Sequence, residues 1–146
     1  MKLEYKYDVY EFALPEGWVI YKNDFHKIDP SDDIPEDDKF NFLYCLEDMM
    51  LIHNGEYSLD LGWYGEDDGQ YGICFFKGNW LTGVLLEKFS SRNSKTIFER
   101  INEIITAFEN GDFINEKGYV VDDDDPENKN DFGDLVTYYP RKLLID

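Results

Sequence analysis

The sequence predicts an α+β fold class, in which a single domain spans 1–146 and an antiparallel sheet carries one or two helices packed on one face. Three observations predict it. The runs "EYSLDLGWY" and "YGICFFK" flank the polar loop "GEDDGQ", Gly65 to Gln70, and read as a hairpin. "NSKTIFERINEIITAFENG" places Ile97, Phe98, Ile101, Ile104, Ile105 and Phe108 along one helical stripe. A hydrophobic content of 42%, with 17% aromatics, supplies one core despite a formal charge of -18, because disordered acidic chains are poor in aromatic residues.

In chain order, "LEYKYDVYEFAL" alternates at Leu3, Tyr5, Tyr7 and Val9 before shifting phase. This predicts a strand with a bulge ahead of the "PEG" turn, and "WVIY" is expected to return as a second strand. "DPSDDIPEDD", residues 29–38, reads as an exposed acidic loop. Phe42, Leu43, Leu46, Met49 and Met50 then recur at helical spacing, with Asp33 as cap and Pro35 in the first turn. "HNG" fits either the end of that helix, the preferred reading, or an Asn-Gly hairpin turn joining "MMLI" to "EYSL". "VLLEKF" is expected as a third strand beside the central hairpin. The long helix that follows takes Ser94 or Thr96 as cap, and Gly111 lies just past its end. "GYVV" alternates weakly, and the aspartate-rich stretch 122–131 is expected as a mobile acidic loop, since four adjacent aspartates bury nothing.

Charge and composition exclude more than they identify. The acids concentrate in the two flanks, and such a field repels nucleic acid and anionic membranes while it accelerates encounter with a basic partner. No apolar run approaches a membrane span, and "MKLEYKYDVYEF" has neither the basic start nor the apolar core of a signal peptide. A cytoplasmic location is therefore expected. In a reducing compartment Cys45 and Cys74 are expected as buried core thiols rather than a bridge.

No catalytic, cofactor or metal constellation stands out. Cys74 sits in an apolar strand and Cys45 in an apolar helix, while the two histidines, His26 and His53, fall in loop-like contexts. Neither a Gly-x-Ser-x-Gly elbow nor a phosphate loop occurs, and the cysteines and histidines lack zinc spacing. The acidic stretch fails the calcium-loop pattern: counting from Asn128 puts Gly133 at the sixth place but Tyr139 at the twelfth, where a carboxylate belongs. The chain is thus expected to be no enzyme, with no cofactor and no metal.

Candidate binding residues come from the hairpin. Period-two alternation places Tyr57, Leu59, Leu61 and Trp63 on one face and Ser58, Asp60, Gly62 and Tyr64 on the other. Trp63 is therefore expected in the core and Tyr64 exposed. On the partner strand Tyr71, Ile73 and Phe75 share a face, leaving Cys74 and Phe76 to be exposed, covered by a helix or used in binding. Asp60, between Leu59 and Leu61, either faces solvent, as alternation prefers, or is a partly buried acid with a raised pKa. Glu66, Asp67 and Asp68 project at the tip. Acids beside an aromatic ring suit a basic partner, so Tyr64, Glu66, Asp67, Asp68 and Asp60 are the candidate partner-binding set.

"LPEGWVIYKNDFHKIDP", "YSLDLGWYGEDDGQYGICFFKGNW" and "EKFSSRNSKTIFERINEII", which cover most of residues 14 to 105, give the chain a further character. It resembles the small acidic immunity proteins of bacterial toxin systems such as contact-dependent growth inhibition. The resemblance implies a non-enzymatic protein that binds a cognate toxin domain and blocks its active site or substrate surface. Because a toxin that attacks nucleic acid must be basic, an acidic inhibitor would reach it quickly. The alternatives are an acidic adaptor, a nucleic-acid mimic, or a small ligand-binding or hydrolytic domain built around Trp18, Trp63, Trp80 and Asp60.

Overall fold

Alternation along the central strands decides the layering. The computed structural model describes residues 7–30, 33–44, 46, 48–65, 68–78, 84–113, 119–121 and 140–144. The chain order is β1 (Val19–Asn23), α1 (Glu36–Phe42), β2 (Met50–Asn54), β3 (Tyr57–Tyr64), β4 (Gln70–Lys77), β5 (Val84–Ser91), α2 (Ser94–Glu109), β6 (Tyr119–Val121) and β7 (Pro140–Leu144). Among the described residues the strands form one antiparallel sheet in chain order, with α2 inserted between β5 and β6.

Met50 and Ile52 from β2, Leu59, Leu61 and Trp63 from β3, and Tyr71, Ile73 and Phe75 from β4 point to one face and are almost wholly withdrawn from solvent. Helix α2 covers that face with Ile97, Ile101, Ile104 and Ile105. Each such side chain contributes about 1.5–3 kcal/mol by leaving water. Aromatic rings fill the ends of the layer: Trp18 stacks near Phe75 and meets Phe108 edge-on, and Phe75 also meets Phe113. Glu87 on β5 forms an ion pair with Arg100, fixing the helix against the strand.

Local signals explain the helix boundaries. The Asn93 side chain accepts from the Thr96 backbone N–H at 2.9 Å and so caps α2 in place of the expected Ser94 or Thr96. Gly111, at φ 81, takes the left-handed turn past the end. At the hairpin tip a side chain on Gly69 would strike the Tyr64 carbonyl and the Trp63 indole, so only glycine lets the tip close. Arg92 then clamps the tip by donating to the Gly69 carbonyl and lying over the Trp63 ring at 5.9 Å.

Four expectations are corrected. The first predicted strand is absent over its described part, where residues 7–15 form no regular element and make one bridge, Val9 to His26. The helix expected from Asp33 to His53 stops at Phe42, and Met50–Asn54 is strand β2. The Asn-Gly signal marks a hairpin after all: Asn54 pairs with Tyr57, leaving Gly55, with φ 58, and Glu56 as a two-residue loop. Helical spacing of Leu46, Met49 and Met50 was misleading because Met50 and Ile52 also satisfy period two. The acidic loop at 29–38 is shorter than expected, since Glu36, Asp37 and Asp38 form the first turn of α1, where negative charge suits the helix dipole. Helix α1 buries none of its own residues completely and reaches the core through half-buried Phe42, while α2 makes the main helix contact with the sheet, against β4 and β5. The acidic stretch 122–131 lies outside the described residues, as does Cys45.

Candidate functional site

Strand β1 is the edge of the sheet: among the described residues it pairs with β2 only. Three apolar side chains stand out on it in a row, Val19 at 53%, Ile20 at 39% and Tyr21 at 70% exposure. The ladder shifts register between Ile20 and Lys22, so Tyr21 is a bulged residue, and its ring meets the His53 ring edge-on at 4.6 Å. The chain beyond β1 is better covered. Tyr10 N–H donates to the Phe25 carbonyl and Lys27 N–H to the Asp8 carbonyl, so the amino-terminal segment shields residues 25–27 and leaves 19–21 open. Exposed Glu16 precedes the row, and Asp24 follows it, 3.7 Å from Lys22. Natural edges are normally short, charged or covered, and an uncovered apolar edge strand is a ready template for another chain.

Behind this edge, the sheet face opposite α2 carries polar groups. Register places Leu51, Asp60, Cys74 and Lys88 in one cross-strand row and His53, Ser58 and Phe76 in the next. Leu51, His53, Ser58, Asp60 and Phe76, with Lys22 and Asp48, line a cavity of about 540 Å³. The Asp60 carboxyl makes no hydrogen bond or ion pair among the described residues. Burial, and secondarily the nearby Asp48 charge, push its pKa up to about 7. Burial first and the Asp60 charge second push the Cys74 thiol up to about 12, with Lys88 opposing. A thiol held there is a poor nucleophile.

One pair in the cavity has the form of a nucleophile and base. Ser58 Oγ lies 2.7 Å from His53 Nδ1, across the first rungs of the β2–β3 hairpin. Among the described residues no carboxylate hydrogen-bonds to the other His53 nitrogen. Ser58 also lies within the ladder, with registered partners on both sides, so the strand backbone around it is committed to pairing and not arranged to stabilise an oxyanion. The pair satisfies two polar groups and stitches the hairpin. His26, the other histidine, is buried against Phe42, and desolvation lowers its pKa. His53 thus stands on strand β2 and not in a loop, while His26 lies, as expected, in the connection between β1 and α1, where it makes one isolated bridge to Val9. Among the described residues no group of His, Cys, Asp or Glu is placed to hold a metal ion, and no helix is long and apolar enough to cross a membrane.

The structure separates the sequence-derived candidates. Trp63 is in the core as expected, but Tyr64 is only 5% exposed, so it is not the open ring that alternation from the core face implied. The second face is not open elsewhere either, since Cys74 and Phe76, further along the same hairpin, are buried too. Asp60 is half-buried in the cavity instead of facing solvent, which is the less favoured of its two readings. Asp68 is exposed at the tip, and Glu66 and Asp67 lie outside the described residues. Sequence reasoning missed the Val19–Tyr21 edge and the His53–Ser58 pair. Reading "HNG" as a hairpin would have found the pair, because that register puts the two residues opposite each other. No family model, curated protein or solved structure matches the chain.

Proposed function

We propose that the protein is a non-enzymatic immunity protein, which binds a cognate bacterial toxin domain and neutralises it by occluding its active site or substrate surface. The observation that carries this reading is the uncovered apolar row Val19, Ile20 and Tyr21 on an edge strand, in a chain of formal charge -18. An aromatic anchor and two aliphatic neighbours form the kind of small patch that dominates binding energy, and acids around it guide a basic surface onto it. A nuclease toxin offers such a surface, since it must attract phosphate. The interface therefore centres on β1, with the exposed tip acid Asp68 acting at longer range.

The test is co-expression with a candidate toxin domain encoded beside this protein, followed by binding kinetics at low and high salt. Tyr21→Ala should shorten the lifetime of the complex about ten- to a hundredfold, which is about 1.4–2.8 kcal/mol. High salt should slow association of the parent protein and leave dissociation nearly unchanged. If the folded Tyr21→Ala protein binds and protects cells as the parent does, β1 is not the interface. If the parent binds no neighbour-encoded protein, the immunity reading fails.

A further inference from the structure

The cavity behind β1 has a composition that edge binding does not use. Its apolar wall is formed by Leu51 and Phe76, from β2 and β4, and its polar side by Asp60, Asp48 and Ser58. About 540 Å³ is within the range of small-molecule sites, which pair apolar walls with a few convergent polar groups. Among the described residues that line it, the lysine is Lys22, which already has a carboxylate neighbour in Asp24. Asp60 stands on a central strand with a ladder on both sides, which fixes its backbone and leaves its side chain half-buried on the sheet face. A half-buried carboxyl without a hydrogen-bonding partner among the described residues is a costly thing to keep in a sheet, and an opposite charge placed beside it offsets that cost.

We infer that this cavity is a binding site for a small amphipathic amine: an ammonium group seated between Asp60 and Asp48, its hydrocarbon body against Leu51 and Phe76. Ser58, whose Oγ is engaged with His53, leaves a lone pair able to accept one ammonium proton. An anion is disfavoured by the two carboxylates, and a neutral body of the same shape would gain the apolar wall but not the charge pair. This site is distinct from the protein-binding reading, because its ammonium seat and apolar wall lie on β2, β3 and β4 and in Asp48, while β1 adds only Lys22 to the lining and the Val19–Tyr21 row adds nothing.

The experiment titrates the whole protein with phenethylamine hydrochloride at neutral pH. Binding is followed by amide chemical shifts and compared with 2-phenylethanol and phenylacetate. The expected result is millimolar or tighter binding of the amine, at least tenfold weaker binding of the alcohol, none of the acid, and shifts centred on Leu51, Ser58 and Asp60. Asp60→Asn should weaken the amine at least tenfold and leave the alcohol unchanged. That variant removes a strained charge and is expected to fold at least as well as the parent, so its loss of binding is not loss of structure. Equal binding of amine and alcohol, shifts centred outside the cavity, an Asp60→Asn protein that binds the amine as the parent does, or no binding at millimolar amine would each overturn the inference. None of these results touches the Tyr21 test.

Discussion

Asp60 makes stability depend on pH in a direction opposite to that of most carboxylates, and replacing it isolates the effect. An aspartate ordinarily titrates near 3.8, and in the fold this one is held at about 7 by burial and by the Asp48 charge. Below pH 4 both folded and unfolded chains carry the proton, so Asp60 contributes nothing to the difference. Between about 4 and 7 the unfolded chain releases the proton while the folded one keeps it, so rising pH favours unfolding. Above about 7 the penalty is complete. At about 1.4 kcal/mol for each pH unit of that window, its ceiling is about 4 kcal/mol, and relaxation and water entry reduce it to about 1–3 kcal/mol. Asp60→Asn should therefore stabilise the protein by that amount at pH 8 and by nothing below pH 4. Thermal unfolding should show this as a rise of roughly 3 °C per kcal/mol at pH 8. His26, whose pKa is lowered by burial, acts with the opposite sign and is common to both proteins, so the difference between their curves reports Asp60 alone. Parallel stability curves for parent and variant from pH 4 to 8 would refute the argument that Asp60 is held protonated by its surroundings.

Two further outcomes follow from burial and capping. Cys74, 4% exposed and with its pKa pushed up to about 12, should resist iodoacetamide in the folded protein at pH 8 and react on unfolding; prompt labelling of the Cys74 peptide in the folded protein would contradict its placement. Asn93→Ala removes the side-chain acceptor at the start of α2 and should cost about 1 kcal/mol in urea unfolding; an unchanged midpoint would mean that the cap is replaced locally.

Strong local signals were legible in the sequence and competing ones were not. The β3–β4 hairpin and α2 each combine a long periodic pattern with matching punctuation, and both stand within a residue or two of their expected bounds. Residues 42–54 satisfy two periods at once, and the choice between them is made by tertiary pairing of β2 with β1 and β3, which no short window contains. The burial of Tyr64 was hidden, and the partial burial of Asp60 left as one of two readings, for a related reason. Alternation tells which residues share a face but not whether that face is covered. The apolar row on β1 was visible as letters in "WVIY", yet its exposure depends on which strand ends the sheet.

That row is open without being loose, and this bears on its use. The residue just before it, Trp18, is buried, and its indole N–H donates to Glu109 at the last turn of α2 over 2.7 Å. The chain after β1 is tied to the other end of the same helix. Tyr10 stacks between Phe25 and Phe98 and shares a hydrogen bond with Ser94, and Asp29 accepts from the Ser94 backbone N–H at 2.6 Å. Tyr71 on β4 donates to the Ile28 carbonyl at 2.6 Å, and Asn23 bonds both to the Tyr10 carbonyl and to the Phe25 N–H. Strand β1 is thus strung between the two ends of α2, with β2 along one side. A partner that docks on Val19, Ile20 and Tyr21 meets a backbone already fixed, so little ordering entropy is lost beyond that of the three side chains. An apolar edge that is exposed because it is frayed would lack these ties, and one meant only to close the sheet would have no need to leave Tyr21 bulged and 70% exposed.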